Sequence, residues 1–389
     1  MNTLISSITP NIPWGIDVPN YFWFTGSSAA AFIISSFAHV FGMERYKPIA
    51  GFSLLMAFVL LVAAPFNLID DLKQPGRIFN FFFYGWENFT TSPMKWGVIL
   101  LLAYPILIFF EALYIYRPYF VKKMAVASGF ARSFYGFLTL GRSGVSQVDL
   151  DKDHKIGKRL GIIGIPLALC VHGYTGYILG AVHANALWHT PLMPILFLAS
   201  AMVSGTGFLI IIIPIFQKLF TSMGSVNHET MVDLAKLLAL FIVIDLVIRF
   251  LWLTFAMPFN GEEKYLLYAF FELNFHEVLY VEYLLCLIVP MIVGFSALRE
   301  NFMVLYIAGI LSVVGVWLFR WNTVIGGQSI PKTSPGFLSY APDIVGQSSI
   351  FSVLSNWGIL VALICFILVI FPWDEEMVES YSKRVNHGK

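Results

Sequence analysis

Charged residues are scarce in this chain. Asp, Glu, Lys and Arg make up 12% of its 389 residues, against roughly 25% in soluble domains, while 58% of the residues are hydrophobic and 37 are Phe. This deficit excludes an ordinary soluble domain, and a formal net charge of +1 gives no reason to expect nucleic acid binding. Several apolar runs reach the roughly 20 residues that cross a bilayer as a helix. The sequence therefore predicts an integral membrane protein.

Cysteine is also scarce. Cys170, Cys286 and Cys365 lie in apolar runs and form no C-x-x-C pair, so the chain alone can build neither an iron–sulfur cluster nor a zinc site. We expect no metal or haem in this chain, and any redox metal must lie in a partner. The N-terminus also lacks the basic segment, short apolar stretch and cleavage site of a signal peptide, so we expect nothing to be removed from it.

The alternation of apolar and polar residues that marks outer-membrane barrel strands is missing as well. Neither an internal repeat nor a separate soluble domain is visible. The sequence predicts an all-α polytopic helical bundle that forms one integral membrane domain over residues 1–389. Its nine spans are predicted at 21–42, 50–69, 94–116, 160–182, 192–217, 232–257, 277–298, 302–320 and 351–372.

Lys and Arg are shared unevenly between the predicted loops. An odd number of spans puts the termini on opposite sides, and the loops on the C-terminal side carry 16 of the 24 basic residues, against six on the other side. Basic loops stay in the cytoplasm. We therefore expect residues 1–20 and the loop 321–350 outside a bacterial cytoplasmic (inner) membrane, and the basic loop 117–159 and the C-terminus inside. The loop segment "GRSGVSQ" is predicted to be a flexible linker, because no strand precedes it.

Five segments on the predicted outside face share an unusual composition. Each combines Trp or Phe with Gly, Pro and hydrogen-bonding side chains, a mixture that can line a pocket at a membrane surface. Trp, Tyr and Pro at span ends also serve as interfacial anchors and helix stops. Because all five lie on one side, we favour a pocket. The segments are "PWGIDVPNY" (13–21), "DDLKQPGRIF" (70–79), "TSPMKWG" (91–97), "HGYTGYILGAVHANALWHTP" (172–191) and "RWNTVIGGQSIPKT" (320–333).

These segments resemble the NrfD/PsrC family of membrane subunits in respiratory complexes such as polysulfide reductase. Within it, the chain is most similar to the longer branch related to the membrane subunit of certain uptake hydrogenases. The matching pieces cover most of the chain: "WGIDVPNYFWFTGSSAA", "FNLIDDLKQPGRIFNFF", "NFTTSPMKWG", "GYTGYILGAVHANALWHTP", "LYVEYLLCLIVP" and "NTVIGGQSIPKT".

The resemblance implies a subunit with no complete activity alone that serves anaerobic respiration. It would bind menaquinone or ubiquinone near the outside face. It would exchange electrons with a four-cluster ferredoxin-like iron–sulfur subunit, which in turn serves a molybdopterin, nickel–iron or multihaem catalytic subunit.

A quinone head group needs hydrogen-bond donors at two carbonyls, an apolar slot and a route for protons. The resemblance places Tyr174 where relatives direct a tyrosine hydroxyl toward the quinone. His172 lies half a turn away, so both can face one ligand only if the pocket wraps around the helix. His183, near His189 at the outside boundary, can exchange protons. For each residue a purely structural hydrogen bond is the alternative.

The first span departs from the shorter family members. Tyr21 stands where some of them place a histidine and is a candidate quinone-binding residue. Because the donor role at this position is changed, Asp17 or Asn20 can supply the donor toward the quinone instead. A helix cap is the alternative for Asp17.

Three residues are predicted to contact the pocket or a partner. Asp70 and Arg77 flank Pro75 and can pair across it, although an exposed pair without a role is equally open. Gln328 belongs to the matching segment at the end of the eighth span.

Ionisable residues also lie deep in the spans. Asp245 and Arg249 are four residues apart on one helix and can pair directly, which alone could make their burial tolerable. With Glu282 and His39 they form a predicted proton path from the pocket toward the cytoplasm.

Two other function classes compete with this interpretation. Intramembrane charges also mark transporters and channels, although the missing repeat and the one-sided motifs disfavour both. A b-type cytochrome needs two facing histidines, and the predicted depths of the histidines offer no good axial pair.

Overall fold

The computed structural model describes residues 12–72, 74–220, 228–259, 261–330, 337–371 and 373, and all regular structure in these ranges is helical. Nine long helices follow one another in the described ranges, one at each predicted span, so the all-α prediction is confirmed. They are α1 (Asp17–His39), α2 (Lys47–Asp71), α3 (Pro93–Val126), α4 (Gln147–Gly180), α5 (Met193–Phe220), α6 (His228–Leu251), α7 (His276–Phe295), α8 (Phe302–Ser329) and α9 (Ile350–Ile370). Shorter helices lie in the connections, at Asn80–Phe83, Gly129–Leu138 and Lys264–Leu273.

Within the described ranges, seven of the long helices are long and apolar enough to cross a membrane, namely α2 to α5 and α7 to α9. The other two, α1 and α6, are rich in polar or charged residues. Nearly every residue of α1 is buried, so its polar side chains meet protein rather than lipid. Nine crossings and an outside N-terminus stay predictions, and several basic residues counted for the orientation lie outside the described residues: Lys73, Lys332, Lys383, Arg384 and Lys389.

Helices α1 and α5 form the centre of the bundle. α1 packs against α2, α4 and α5, while α5 also packs against α6 and α8; α3 covers α4, and α9 covers α2. A Cβ added at Gly205 of α5 would lie 2.4 Å from the Cβ of Ala30 in α1, and the hydroxyls of Ser27 and Ser204 are 2.9 Å apart. Small residues and a buried hydrogen bond therefore bring the two central helices together, as in other membrane bundles.

The stretch 117–159, predicted to be a loop, is helical over most of its length. α3 continues to Val126, and α4 begins at Gln147 behind a capping box in which Ser146 and Asp149 exchange hydrogen bonds. A hydropathy pattern marks where apolar residues end, whereas a helix continues for as long as its backbone bonds can form. The predicted spans 94–116 and 160–182 are therefore shorter than α3 and α4.

The segment "GRSGVSQ" is tied down by Arg117, a buried residue of α3 that the span boundaries assign to a loop. Its guanidinium pairs with Asp153 at 2.5 Å and donates to the carbonyls of Arg142 (3.1 Å) and Gly144 (2.7 Å). These bonds join the segment to α3 and α4. The prediction of a flexible linker is therefore wrong, because its partner lies 25 residues earlier in the sequence.

Three π-helical segments widen the helices near one end of the bundle. They are Trp252–Ala256 after α6, His276–Ile288 within α7 and Asn322–Gly326 within α8. Single π-helical turns often accompany functional sites. All three belong to the helices that carry the predicted intramembrane charges or border them.

Candidate functional site

The outer end of the bundle is defined here as the end where α1, α3, α5, α7 and α9 begin. Four of the five predicted segments contact each other there. The N–H of Trp14 donates to Gln328 Oε1 at 2.9 Å, the N–H of Gly15 donates to Asp71 Oδ1 at 2.8 Å, and the Trp14 ring stacks on Trp188 with centroids 5.4 Å apart. The residues expected on one face therefore do come together at one end.

Residues 12–16, called the outer strap below, lie across this end. The N–H of Ile16 donates to the hydroxyl of Tyr340 at 3.0 Å, and Ser348 donates to the same Asp71 carboxylate that holds the strap. Burial raises the pKa of the Tyr340 phenol, so this hydroxyl stays neutral and accepts the bond over the whole physiological range. The strap thus joins α2 to the segment that precedes α9.

Tyr174 and Tyr21 both lie in the outer half of the bundle. A Cβ added at Gly97 would lie 2.2 Å from the Tyr174 hydroxyl, so this phenol rests directly against the backbone of α3 and joins the fifth segment to the others. Tyr174 is 9% exposed and Tyr21 is 3% exposed, and the two phenols lie within electrostatic range of each other. Two of the predicted quinone-binding residues are therefore largely buried at the same end of the bundle.

Asp17 and Asn20 face α2 and α9. Ser352 donates to Asp17 Oδ2 at 2.8 Å, and Asp17 caps no helix end. The Asn20 amide donates to Asn67 at 2.6 Å and accepts from the Trp357 indole at 3.0 Å. Asn20 is thus engaged in bonds between helices.

Asp70 and Arg77 do not pair, contrary to the prediction. Asp70 Oδ2 accepts a bond from Asn356 at 2.9 Å, and no ion pair joins Arg77 to Asp70 or Asp71 among the described residues. The polypeptide turns at Pro75 in a 3-10 helix that leaves Arg77 exposed at the surface. Asp70 therefore binds α9, whereas Arg77 faces solvent.

An open groove of about 400 Å³ lies between the outer ends of α2 and α3. Lys95 is buried there, donates to the carbonyls of Phe81 and Tyr84, and lies 4.5 Å from the centre of the Trp86 ring. The groove combines apolar and aromatic walls with amide and cationic donors, which is what a flat ring with two carbonyls requires. Its lining comprises Leu72, Gln74, Arg77, Asn80, Phe81, Tyr84 and Lys95.

His172 faces α1 and α5 instead of the Tyr174 site. Its Nε2 donates to the carbonyl of Phe197 at 2.8 Å, and its ring occupies the space beside Gly26, where an added Cβ would lie 2.7 Å from Cε1. The two side chains therefore meet different neighbours, as their half-turn separation predicts.

Arg320 is a functional candidate that the sequence reasoning missed. Arg320 is the last residue of the predicted eighth span and is counted with the outside loops, yet it is fully buried in α8. It donates to Phe197 O at 3.0 Å and Ser200 Oγ at 2.8 Å and lies 3.8 Å from the Phe197 ring centre. The predicted apolar run ends at Arg320 because of its charge. Trp321, an apolar residue directly after Arg320, is the sequence signal that the helix could continue.

Asp245, Arg249 and Glu282 form a buried charge network. Arg249 Nε donates to Asp245 at 2.8 Å, which confirms the predicted pair, and its Nη1 donates to Glu282. Asn322 donates to the other oxygen of Glu282 at 2.7 Å, and Arg320 lies within electrostatic range. Two guanidinium groups balance two carboxylates, which makes their common burial tolerable.

His39 lies apart from this network. It is at the inner end of α1, where it lines a small cavity together with Asp153, His154 and Gly157. The structure therefore groups His39 with α4, whereas Asp245 and Glu282 belong to α6 and α7. The four residues of the predicted proton path do not form one cluster.

His183 lies in the corner between α4 and α5, on the solvent side of the outer end. Its Nδ1 is 2.8 Å from Nε2 of His189. His183 is exposed at the outer end, which is the predicted outside boundary, and its part in quinone binding stays a prediction.

The long apolar helices, the polar outer end and the buried charge network define a multi-pass helical membrane protein with a site at one end. A family model described as polysulphide reductase, NrfD, matches residues 6–332. The chain therefore belongs to the NrfD polysulphide reductase family, and the predicted resemblance is confirmed.

The chain is also similar to individual proteins. The chain is similar to the C subunit of selenate reductase from Mesobacillus selenatarsenatis (28% identity over 99% of this chain and 91% of the relative). It is also similar to the C subunit of tetrathionate reductase from Salmonella typhimurium (25% identity; 97% and 94%). The Hdr-like menaquinol oxidoreductase integral membrane subunit of Archaeoglobus fulgidus is 25% identical over 53% of this chain and 43% of the relative. By their names, the first two relatives are subunits of reductases, and the third is an integral membrane subunit of an oxidoreductase.

Proposed function

We propose that this chain is the quinone- or quinol-interacting subunit of a respiratory oxidoreductase complex. The observation that supports the proposal is that Tyr174, which packs against Gly97, and an open, donor-bearing groove that includes Lys95 both lie at the end where all five segments converge. The name of the Archaeoglobus fulgidus relative contains menaquinol, and either menaquinone or ubiquinone fits the groove by its chemistry.

A quinone takes up or releases two electrons and two protons, and the residues of this chain would hold and position those protons. The close contact of Tyr174 with Gly97 fixes its hydroxyl, which can donate without bearing a charge. Asp17 supplies the predicted carboxyl group of α1 and accepts a hydrogen bond from Ser352. Asn20 and His172, which are engaged with neighbouring helices, would position α1 and α4.

The outer end is also the proposed docking face for the redox partner. It exposes Arg77 and large aromatic side chains such as Phe79, Phe83 and Trp86. We expect a four-cluster ferredoxin-like subunit there, joined to a molybdopterin, nickel–iron or multihaem catalytic subunit. The arrangement requires nine spans with the N-terminus outside a bacterial cytoplasmic membrane. The relation to the hydrogenase branch stays a prediction.

Proton movement through the charge network is a further part of the proposal. Asp245, Arg249 and Glu282 lie in helices that border the outer end and extend inward. In proteoliposomes that contain the complex, Asp245→Asn and Glu282→Gln should lower proton uptake per quinol or quinone turned over. Unchanged turnover and unchanged uptake in both variants would exclude this path.

Purification from native membranes tests the function as a whole. In a mild detergent the chain should bring down an iron–sulfur partner, and the complex should reduce or oxidise a short-chain quinone analogue. Recovery without any redox partner, together with the absence of quinone binding, would overturn the proposal.

A further inference from the structure

Two imidazoles face each other across the corner between α4 and α5. Nδ1 of His183 and Nε2 of His189 are 2.8 Å apart, and the ring centroids are 4.4 Å apart at an interplanar angle of 66°. Only one of the two facing nitrogens can carry a hydrogen in this arrangement, so the other presents a lone pair. A lone pair is what a metal ion requires from histidine.

The backbone between the two histidines is held rigidly. Asn185 accepts bonds from the N–H groups of Leu187 and Trp188 and donates to the carbonyl of Gly327 at 2.8 Å. The Trp188 indole donates to the carbonyl of Thr323. Because these bonds already fix the corner, bringing the imidazoles together costs little additional conformational entropy.

We propose that His183 and His189 form a binding site for one divalent transition-metal ion, with Zn²⁺ as the reference ion. Imidazole suits Zn²⁺, Cu²⁺ and Ni²⁺. Zn–N bonds of about 2.0–2.1 Å in tetrahedral geometry place two ligand nitrogens about 3.3 Å apart. The nitrogens must therefore separate by about half an ångström, and each ring must turn by about 35° to direct its lone pair at the ion.

Binding of the ion requires the hydrogen between the two facing nitrogens to move. When both rings are neutral, the hydrogen between the facing nitrogens moves to the far nitrogen of the same ring as both facing lone pairs bind the ion. When one ring is an imidazolium, that hydrogen leaves to the solvent, so acid weakens binding.

Among the described residues, His183 and His189 are the two protein ligands of the proposed site. The described residues contain no group of three or more His, Cys, Asp or Glu side chains placed to hold a metal ion. Water therefore completes the coordination, and the ion exchanges with the solution. The existence of this site does not depend on the proposed quinone function.

Calorimetric titration of the full chain in detergent, without a polyhistidine tag, tests the site with Zn²⁺ alone. We expect saturable binding of one ion per chain, lost in both His183→Gln and His189→Gln. His276→Gln and His228→Gln serve as matched controls, because these exposed histidines lie outside the corner, and both should bind like the unchanged chain. Thermal unfolding without zinc shows whether each variant folds.

Electron paramagnetic resonance with Cu²⁺ supplies a second measurement. The unchanged chain should show hyperfine coupling to two imidazole nitrogens, and each corner variant should show coupling to one nitrogen at most. The proposal is overturned if no saturable binding occurs. It is equally overturned if His183→Gln and His189→Gln both retain binding or both keep the two-nitrogen signal.

Discussion

Tyr174 offers a single group, the phenolic hydroxyl, to the proposed chemistry. Tyr174→Phe keeps the ring against Gly97 and removes only that donor. Leaving an oxygen of the bound quinone or quinol without its hydrogen-bond donor costs roughly 1–3 kcal/mol, and about 1.4 kcal/mol corresponds to a factor of ten in rate. We therefore expect kcat/KM for quinol to fall about tenfold to a hundredfold in steady-state assays of the purified complex.

Tyr177→Phe is the matched control for this change. Tyr177 lies one turn further along α4, is 41% exposed and stacks on Trp96 with centroids 6.0 Å apart. Its variant should keep full activity. Equal losses in both variants would show that Tyr174 has no special role.

Arg249 pairs with two carboxylates, so its removal leaves uncompensated buried charge. We expect Arg249→Met to lower the free energy of unfolding by about 3–5 kcal/mol, measured by denaturant unfolding in detergent micelles. The exposed Arg77→Met should change it by at most about 0.5 kcal/mol.

A double variant separates charge from packing at the same residue. Adding Glu282→Gln to Arg249→Met restores the balance between Asp245 and Arg320 and should recover part of the lost stability. If the double variant is no more stable than Arg249→Met alone, charge balance is not what the network supplies.

Between elements, the contact of α1 with α5 depends on the absence of a side chain. Gly205→Ala would place a Cβ 2.4 Å from that of Ala30 and 2.7 Å from the carbonyl of Ser27. Overpacking of this kind costs about 1–3 kcal/mol. The melting temperature of the variant in detergent should therefore fall.

Gly358→Ala in α9 provides the opposite case. Nothing lies within 4 Å of the added Cβ, so only the higher helix propensity of alanine, up to about 1 kcal/mol, remains. This variant should be as stable as the unchanged chain or slightly more so. Similar melting temperatures for the two glycine variants would argue against close packing of α1 on α5.

The elements themselves could largely be predicted from sequence, because apolar runs of bilayer length form helices wherever they occur. The residues at which the helices begin and end could not be predicted. α4 begins at Gln147 instead of residue 160, since a Ser146 capping box lies outside any apolar window. For the same reason Arg117 falls in a predicted loop, and Arg320 is counted with the outside loops although the helix continues past it. Moving both from the loops into helices changes 16 and six basic loop residues to 15 and five, so the charge asymmetry is preserved.

For the whole molecule, convergence of the five segments could be predicted because successive spans run in opposite directions, so that alternate loops lie on the same side. The individual contacts could not be predicted. The Asp70–Arg77 pair is absent among the described residues, while Asp70 binds Asn356, 286 positions away. A single sequence carries no signal for such a pairing, since many polar residues at the same depth are equally suitable.

The orientation of the molecule can be tested by cysteine labelling. Ile344 is 67% exposed beside the outer end, and Phe130 is 86% exposed at the opposite end. In a chain whose native cysteines are replaced by alanine, a membrane-impermeant maleimide should label Ile344→Cys in sealed right-side-out vesicles. Phe130→Cys should react only after permeabilisation, and the reverse pattern would contradict an outside N-terminus.

The outer strap has a consequence for how the molecule is made. Trp14 leaves the ribosome early, yet its hydrogen-bond partner Gln328 is made 314 positions later. Ser352, the hydrogen-bond partner of Asp17, follows Asp17 by 335 positions. During synthesis the first helix must therefore enter the membrane with a carboxyl group that has no final neighbour. The last helix, α9, then supplies the missing partner of Asp17. A chain truncated before α9 would leave this carboxyl group without its hydrogen bond, and we expect cellular proteases to degrade it faster than the full chain.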